Sequence, residues 1–407
     1  MIDDARHAGA WGVTFAEPTV DVARLRAFKQ GVIDKLTGGV GQIARLRKVK
    51  YLQGRATLTG PHSMAITGSS GETELQFEHC VLATGSHPTR IPSLSLESAR
   101  MLDSTTALDL PDIPGSLLVI GGGYVGLELG TVYAMLGSAV SVVEMTAGLL
   151  PGADCNLVQV LQKRLEKRCA AIMLSTRVVR LAEERSGVRV TFEAAEGGGP
   201  SSPPEQVFDR VLVAVGRRPN SKIPGLGTTR VRVTDQGFIE TDGQRRTAEP
   251  SVVAIGDVAG EPMLAHKASH EARVAIDAIA GHKAEFEPRA IPAVVFTDPE
   301  IAWCGLTEAQ AVARGIPIEV AKFPWGALSR AVTVDRPDGL TKLVLEPDSG
   351  RVLGVGIAGS GAGELIAEGV LAVEMGATAE DLKLTIHPHP TLSESVMETI
   401  NGFRALG

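Results

Sequence analysis

A run of glycines at residues 121–126, with a glutamate at position 144, has the residue types and spacing for binding a dinucleotide. Gly121, Gly123 and Gly126 fit the pattern G-x-G-x-x-G. The first glycine allows a tight turn, the second lets a diphosphate approach the backbone, and the third lets a helix pack closely on a strand. The diphosphate would lie at the helix N-terminus, where free N–H groups and the helix dipole favour negative charge.

Glu144 ends the next predicted strand, about twenty residues after the glycines, where a carboxylate accepts hydrogen bonds from ribose hydroxyls and repels a 2′-phosphate. No Lys or Arg lies between Glu144 and Gly152 to neutralise such a phosphate, so the sequence favours NAD over NADP. The alternative is a structural turn followed by a surface glutamate. The order strand, glycine turn, helix and second strand favours the binding site.

The elements that would position these residues alternate between strands and helices, which is typical of an α/β fold. Continuous apolar runs predict strands that are covered on both faces, and helical spacing of apolar residues predicts helices. Asp154 is a candidate helix cap. The helix predicted over 19–48 is expected to stop near Gly38 and Gly39. The other predicted strands are 80–83, 117–120, 139–143, 211–215 and 252–255, and the other helices are 127–136, 156–168 and 264–280.

The composition suggests two or three domains with a large core, since the chain has 407 residues of which 44% are hydrophobic. The net charge is −7 and no basic block occurs, which argues against nucleic acid as a partner. No apolar run has the length to span a membrane, and the first residues do not form a secretory signal, so we expect a cytoplasmic protein.

The four cysteines, Cys80, Cys155, Cys169 and Cys304, form no C-x2-C or C-x4-C pair. Their scatter predicts free, mostly buried thiols in a reducing compartment and gives no support to a zinc site or any other metal site.

Several longer motifs in a fixed order extend the argument to nearly the whole chain. On these motifs the sequence resembles the flavoprotein (pyridine nucleotide) disulfide oxidoreductases, class I, and within them the dihydrolipoyl dehydrogenase family. The motifs are ATGS (83–86), GGGYVGLELGTVYAMLG (121–137), AVGRRPN (214–220), AIGDVAGEPMLAHKASHEA (254–272), VFTDPEIAWCGLTE (295–308) and HPHPTLSE (387–394).

The resemblance implies an α/β fold with Rossmann-like FAD- and NAD-binding domains and a C-terminal α+β dimerisation domain. The FAD-binding domain would comprise residues 1–112 and 247–288, the NAD-binding domain 113–246, and the interface domain 289–407. A homodimer is expected.

The resemblance also implies the residues that contact the two cofactors, FAD and NAD. Those expected at NAD are Gly121, Gly123, Gly126, Glu128, Glu144, Val178 and Gly216. Those expected at FAD are Thr84, Gly85, Ser86, Asp257, Met263, Leu264, Ala265 and His266. Without the resemblance, Asp257 would be interpreted as an ordinary helix or turn cap.

For the chemistry, the resemblance implies that His389 is the acid/base and Glu394 its orienting carboxylate, acting across the dimer on the partner subunit's disulfide. His387 is the weaker candidate. In the implied reaction, dihydrolipoamide carried by a 2-oxoacid dehydrogenase or glycine cleavage complex reduces an enzyme disulfide, and the electrons pass through FAD to NAD. Spacing alone would suggest only two histidines in a surface loop, although a turn at Pro390 could bring His389 and Glu394 together.

The family pattern begins with a strand, a first G-x-G-x-x-G turn for the ADP half of FAD, and a helix that carries C-x4-C. These features do not occur in the 407 residues, which suggests a truncated gene. We therefore expect the FAD-binding domain to be incomplete, and we expect the chain by itself to bind FAD poorly and to lack lipoamide activity.

Other functions stay open at this point. One alternative is a non-catalytic NAD-binding, dimerising protein, and another is a flavoprotein similar to soluble transhydrogenase. Glu144 argues against an NADP-linked glutathione reductase, and the lack of a cysteine after Cys304 argues against a mercuric reductase.

Overall fold

The structure is a computed structural model that describes residues 1–195 and 204–404. The sequence EGGGPSSPPE at 196–205 predicts a loop, most of which lies outside the described residues. The α-helices are α1 (Ile2–His7), α2 (Val22–Leu46), α3 (Ser104–Leu108), α4 (Tyr124–Leu136), α5 (Cys155–Leu165), α6 (Ala265–Ile279), α7 (Glu308–Arg314), α8 (Ser329–Thr333), α9 (Ala362–Met375), α10 (Ala379–Leu384) and α11 (Glu394–Arg404).

The strands are arranged in several sheets. In chain order they are β1 (Arg55–Gly60), β2 (Ser63–Gly68), β3 (Gly71–Gln76), β4 (Cys80–Leu82), β5 (Ser86–Pro88), β6 (Met101–Leu102), β7 (Ser116–Ile120), β8 (Ala139–Val143), β9 (Ala171–Met173), β10 (Thr176–Glu184), β11 (Gly187–Ala194), β12 (Glu205–Phe208), β13 (Arg210–Val213), β14 (Arg217–Pro219), β15 (Val252–Ala254), β16 (Ala293–Val295), β17 (Glu300–Gly305), β18 (Glu319–Pro324), β19 (Leu340–Leu345) and β20 (Val352–Gly359).

The chain divides into two compact units, which are described separately. The first comprises residues 1–20, 90–216 and 288–407, and the second comprises residues 21–89 and 217–287. The boundaries implied by the resemblance for three domains stay a prediction.

A five-stranded parallel sheet lies at the centre of the first unit, in the order β6-β13-β7-β8-β9. Residues 117–119 of its middle strand are fully buried, because helices and a second layer cover both faces. That second layer is the antiparallel sheet β10-β11-β12, whose Val188, Val190 and Phe192 pack with Leu118. The predicted strands of this region are confirmed, and α4 begins three residues earlier than predicted.

The C-terminal part of the first unit contains an antiparallel sheet in the order β16-β17-β20-β19-β18, with helices packed against it. Trp325 fills its core, and its indole N–H donates to Oγ1 of Thr341 at 2.9 Å. The ring fits because Gly339 and Gly359 face it, where a Cβ atom would lie 2.3 Å from ring carbons. This is the C-terminal α+β region that the resemblance to the family predicted.

The second unit contains the antiparallel sheet β1-β2-β3, the antiparallel pair β14-β5 and the parallel pair β15-β4. Its hydrophobic cluster includes Leu82, Val252, Ala254 and Val258. The parallel pair brings the carboxyl ends of β4 and β15 side by side.

Two local predictions are wrong. Helix α2 spans Val22–Leu46, close to the predicted extent of 19–48, but the stop expected near Gly38 and Gly39 does not occur. Glycine lowers helix stability by about 1 kcal/mol relative to alanine without breaking the hydrogen-bond ladder. The apolar stripe also resumes beyond the glycines, at Val40 and Ile43.

The second wrong prediction concerns Asp154, which occupies the N-cap position of α5 without capping it. Its carboxylate instead accepts the backbone N–H groups of Glu308 and Ala309, at 3.1 and 3.3 Å, and pairs with the ammonium of Lys342. A buried ammonium and the N-terminus of α7 together attract the carboxylate more strongly than the local cap.

No helix in the described residues is long and apolar enough to cross a membrane.

Candidate dinucleotide, flavin and acid–base sites

The glycine turn between β7 and α4 has the geometry that a dinucleotide needs. Gly121 has a φ of +108°, which side-chain-bearing residues rarely adopt. A Cβ on Gly126 would lie 2.3 Å from the carbonyl oxygen of Gly121 and 3.0 Å from Val119, so this glycine sets the close packing of helix on strand. A Cβ on Gly123, the N-cap of α4, would meet nothing within 4 Å. The space in front of the helix N-terminus is therefore open for a diphosphate.

Glu144 lies beside this turn and is buried, with 8% of its surface exposed. One carboxylate oxygen accepts the N–H of Gly122 at 2.7 Å, and the other accepts the N–H and hydroxyl of Thr146 at 2.8 and 2.9 Å. These bonds fix the carboxylate at the end of β8, where a ribose would lie.

The other residues predicted at NAD are placed differently. Gly216 follows β13 and has a φ of +103°. Val178 lies on β10 and packs against the hydrophobic cluster that contains Ile120 and Val143. Glu128 lies on α4, where its carboxylate accepts the N–H of Phe296 at 2.8 Å and burial raises its pKa above the usual value. None of the described contacts joins Val178 or the Glu128 carboxylate to the glycine turn.

Two of the residues predicted at FAD, Ser86 and Asp257, meet at the carboxyl ends of β4 and β15. Gly85 and Gly256 both have positive φ, at +69° and +75°. The hydroxyl of Ser86 donates to Oδ2 of Asp257 at 2.5 Å. Asp257 lies in a 3-10 turn whose N-cap is Ile255, so it is not the helix cap that its sequence position alone suggested.

Arg217 also contacts Ser86, although the motif that contains it, AVGRRPN at 214–220, did not by itself indicate this role. Its Nε donates to the Ser86 hydroxyl at 2.7 Å and its Nη2 to the Ser86 carbonyl at 2.9 Å. The hydroxyl is thereby held toward Asp257. Thr84 contributes differently, because its hydroxyl donates to the carbonyl of Asn220 at 2.9 Å.

The segment from Met263 to His266 forms the start of α6, and Leu264 is its N-cap without a side-chain capping bond. A helix N-terminus favours negative charge. These residues and the Ser86–Asp257 pair therefore fit the polar part of a flavin cofactor, with open space at Gly85, where a Cβ would meet nothing within 4 Å.

His389 and Glu394, the residues predicted as an acid–base pair, are hydrogen-bonded to each other. Nδ1 of His389 lies 2.9 Å from Oε1 of Glu394, and Oε2 accepts the N–H of Thr391 at 2.7 Å. The bond from Thr391, followed by that from His389, lowers the pKa of Glu394 against the opposing effect of burial. The imidazole side chain is 69% exposed, so its Nε2 edge is accessible to a substrate.

His387 lies in a different environment, with only 5% of its side chain exposed. Its Nε2 bonds Oε1 of Glu368 at 2.8 Å and its Nδ1 bonds the carbonyl of Thr385 at 3.0 Å. Both ring nitrogens are therefore engaged, which suits a structural role.

All four cysteines are unpaired. Burial raises the pKa of the Cys80 thiol, that of Cys169 to about 11 and that of Cys304 to about 12, so these thiols stay protonated and are poor nucleophiles. Cys80 and Cys304 are buried, Cys169 is partly buried and Cys155 is exposed, so the prediction of mostly buried thiols holds for only two of the four. No group of His, Cys, Asp and Glu in the described residues has a metal-binding arrangement.

Comparison with known proteins decides the family. Residues 5–272 match the family model of pyridine nucleotide-disulphide oxidoreductase, and residues 291–400 match the dimerisation domain of the same family. This chain belongs to the pyridine nucleotide-disulphide oxidoreductase family. The predicted family is thereby confirmed, and the dimerisation domain indicates that this oxidoreductase is a homodimer.

Relatives of this oxidoreductase are similar over nearly its whole length. It is 44% identical to the dihydrolipoyl dehydrogenase of Vibrio cholerae over 397 residues, which cover 97% of this chain and 82% of that protein. It is 45% identical to that of Haemophilus influenzae over 97% of this chain and 82% of the relative. For the enzyme of Geobacillus stearothermophilus the identity is 41%, over 97% of this chain and 83% of the relative.

Solved structures support the fold of this oxidoreductase. LpdA from Mycobacterium tuberculosis superposes with a TM-score of 0.88 at 24% identity, covering 98% of this chain and 86% of that one. The flavoprotein disulfide reductase RclA from Escherichia coli gives 0.85 at 24% identity, covering 98% and 88%. The predicted α/β fold class with a C-terminal dimerisation domain is confirmed.

Proposed function

We propose that this oxidoreductase is a dihydrolipoyl dehydrogenase, which oxidises dihydrolipoamide to lipoamide with NAD+ through FAD and a redox disulfide. The observation that carries the chemistry is the His389–Glu394 pair, an exposed imidazole oriented by a carboxylate. The substrate follows from relatives that bear this name at 41 to 45% identity. The same relatives disfavour a non-catalytic NAD-binding protein or a transhydrogenase.

His389 is suited to accept the proton of a dihydrolipoamide thiol. Because Nδ1 donates to Glu394, the neutral imidazole presents its basic nitrogen, Nε2, at the exposed edge of the ring. Glu394 remains ionised because its pKa is lowered, and its charge stabilises the imidazolium that proton uptake creates. The thiolate formed in this way is the nucleophile that a disulfide requires.

The glycine turn and Glu144 would hold NAD. The diphosphate would bind at the N-terminus of α4, in the open space at Gly123, and Glu144 would accept the ribose hydroxyls and disfavour NADP. Gly216, Glu128 and Val178 stay predicted NAD contacts, the last two with less geometric support.

The Ser86–Asp257 pair and the start of α6 would hold the polar part of FAD, with Arg217 keeping Ser86 in place. FAD supplies the two-electron chemistry that links sulfur to nicotinamide. The chain's own contribution is to orient the cofactor and to provide the proton transfer at His389.

The proposed substrate also determines the expected partner complexes. We expect dihydrolipoamide on a 2-oxoacid dehydrogenase or glycine cleavage complex. The unpaired state of all four thiols suits a reducing cytoplasm.

The proposal is tested on the chain extended at its N-terminus by the strand, first G-x-G-x-x-G turn and C-x4-C helix of the family pattern. Steady-state turnover of this FAD-loaded enzyme is measured with dihydrolipoamide or reduced glutathione, each with NAD+ or NADP+. We expect turnover with dihydrolipoamide and NAD+ alone. Faster turnover with glutathione, or NADP+ preferred over NAD+, would refute the proposal.

A further inference from the structure

A buried ionic cluster of Glu271, Lys267 and Arg245 contacts the turn at residues 256–260, which contains Asp257. Glu271 on α6 is fully buried, with 0% of its surface exposed. Its Oε1 lies 3.1 Å from Nζ of Lys267 and 3.1 Å from Nη1 of Arg245, and its Oε2 accepts the backbone N–H of Gly256 at 2.7 Å. The carboxylate therefore bonds the residue that directly precedes Asp257.

Lys267, one helical turn before Glu271, also bonds this turn. Its Nζ donates to the carbonyl of Gly260 at 3.0 Å and to that of Gly256 at 3.4 Å. The two side chains thus hold both ends of residues 256–260. The turn also lies close against α6, because a Cβ on Gly256 would be 3.2 Å from Cβ of Ala268.

Arg245, the third member of this cluster, has an unfavourable backbone conformation and a buried N–H group left unsatisfied in the part of the chain that the structure describes. Its φ is +64°, in the left-handed region that residues with side chains seldom adopt, and its buried Nε has no hydrogen-bond partner among the described residues. Its guanidinium lies 5.0 Å from the ring centroid of Phe286. A core that needed only stability would be served at least as well by apolar side chains, because burying charges is costly.

The contacts of this cluster with the turn at 256–260 explain why its charges are buried despite the energetic cost. The backbone of the turn is fixed by Glu271 and Lys267, while the side chain of Asp257 is fixed by Ser86. We infer that Glu271, together with Lys267, is a positioning residue that holds the turn at 256–260 so that Asp257 presents its carboxylate to the hydroxyl groups of FAD. This inference rests on the proposed role of Asp257.

The test compares three variants of the same N-terminally extended enzyme, which carries the first G-x-G-x-x-G turn and the C-x4-C helix and is loaded with FAD. Glu271→Gln removes the charge of the positioning residue, and Asp257→Asn removes that of the proposed ligand. Glu249→Gln is the matched control, because Glu249 is also buried and paired with an arginine, Arg230 at 3.3 Å, in the same unit, and none of its described contacts involves the turn.

Two measurements are made on each variant: the dissociation constant of FAD, and the hydrogen exchange of the amides of residues 256–260. We expect Glu271→Gln to weaken FAD binding by about 10- to 100-fold, because it disrupts a buried, charged hydrogen-bond network. It should also speed hydrogen exchange of the turn amides. Asp257→Asn should weaken FAD binding without faster exchange at Gly256. Glu249→Gln should change neither.

The outcomes separate the two proposals. Normal FAD affinity in Glu271→Gln with weakened binding in Asp257→Asn would overturn the positioning role and leave the flavin site intact. Normal affinity in both would remove the proposed site and the positioning role with it. An equal loss in Glu249→Gln would assign the effect to general destabilisation and would also overturn the inference.

If Glu271→Gln does not fold, the double variant Lys267→Met with Glu271→Gln replaces it. This variant removes one positive and one negative charge, so the net charge of the cluster is unchanged while both contacts with the turn change. It is expected to fold and to bind FAD more weakly than the wild type. Wild-type affinity in the folded double variant would again overturn the inference.

Discussion

Nδ1 of His389 lies 2.9 Å from Oε1 of Glu394, and the second oxygen of that carboxylate is held by the backbone N–H of Thr391. His389→Gln removes the only group of this pair that can take a proton from a thiol, so kcat with dihydrolipoamide should fall by about 10²- to 10⁴-fold. Glu394→Gln should cause a smaller loss, because it weakens the orientation of the ring without removing the base.

The control is His282→Gln, which changes another exposed histidine that faces a carboxylate, that of Asp277 at 3.5 Å. It should leave kcat unchanged. NAD affinity and FAD content should be normal in all three variants, and full turnover of His389→Gln would exclude this histidine as the acid–base group.

Gly123 and Gly126 should respond differently to alanine. Gly123→Ala puts a methyl group into open space at the N-terminus of α4, so the protein should fold while the Kd for NAD rises by about tenfold or more, because the diphosphate loses its close approach. Gly126→Ala places the methyl 2.3 Å from the carbonyl oxygen of Gly121 and should lower the melting temperature.

Isothermal titration with NAD+ and thermal melting of the same preparations measure the two effects. Equal NAD affinity in Gly123→Ala and the wild type would show that the diphosphate binds elsewhere.

Glu144 should control the choice between NAD and NADP. In Glu144→Gln the side chain keeps one acceptor for Gly122 or Thr146 but loses its charge. We expect KM for NAD+ to rise by about five- to tenfold and the preference over NADP+ to fall, since a ribose acceptor is weakened and a repulsion of the 2′-phosphate is lost. The control is Glu166→Gln, since Glu166 is exposed and directly follows α5. It should leave KM unchanged for both NAD+ and NADP+.

Glu308 should contribute to stability in a pH-dependent way. Burial acts to raise its pKa, but hydrogen bonds from Lys342 and Asn156 outweigh this effect and lower the pKa from its usual value of 4.5 to about 2. The stabilisation is therefore present above pH 4.5 and is lost as the pH falls toward 2.

Glu308→Gln should lower the free energy of unfolding at pH 7 by about 1–3 kcal/mol, less than a fully buried broken pair because the carboxylate is partly exposed. Urea unfolding at pH 7 and pH 3 measures the loss, which should shrink at the lower pH. The exposed pair of Glu346 with Arg351 supplies the control, since Glu346→Gln should leave the midpoint at pH 7 near that of the wild type. A difference between Glu308→Gln and wild type that grows in acid would contradict the assignment.

Local pattern was sufficient for the parts of the fold and site that depend on neighbouring residues. The apolar run at 117–120, the glycine turn and the end of the next strand at Glu144 all follow from short-range rules, and the structure has each of them. The pairing of His389 with Glu394 came from the resemblance to the family, since spacing alone predicted only two histidines in a surface loop.

The contacts that sequence did not predict join residues far apart in the chain. Asp154 pairs with Lys342, which is 188 residues away, and no rule of local capping contains that information. Glu271 was inside a recognised motif, but its bonds to Gly256 and Arg245 depend on how α6 packs against the turn. Long-range electrostatics of this kind are set by packing and therefore appear only in three dimensions.

The exposure of helix α2 determines where local unfolding should begin. None of its side chains is buried, and Phe28, Leu36 and Leu46 are 72%, 66% and 74% exposed. A 25-residue helix with no buried side chain gains little stability from packing and depends largely on its intrinsic propensity, which glycines at 31, 38, 39 and 41 reduce. Trypsin should therefore cut first at its lysines and arginines, long before the parallel sheet of the first unit becomes susceptible.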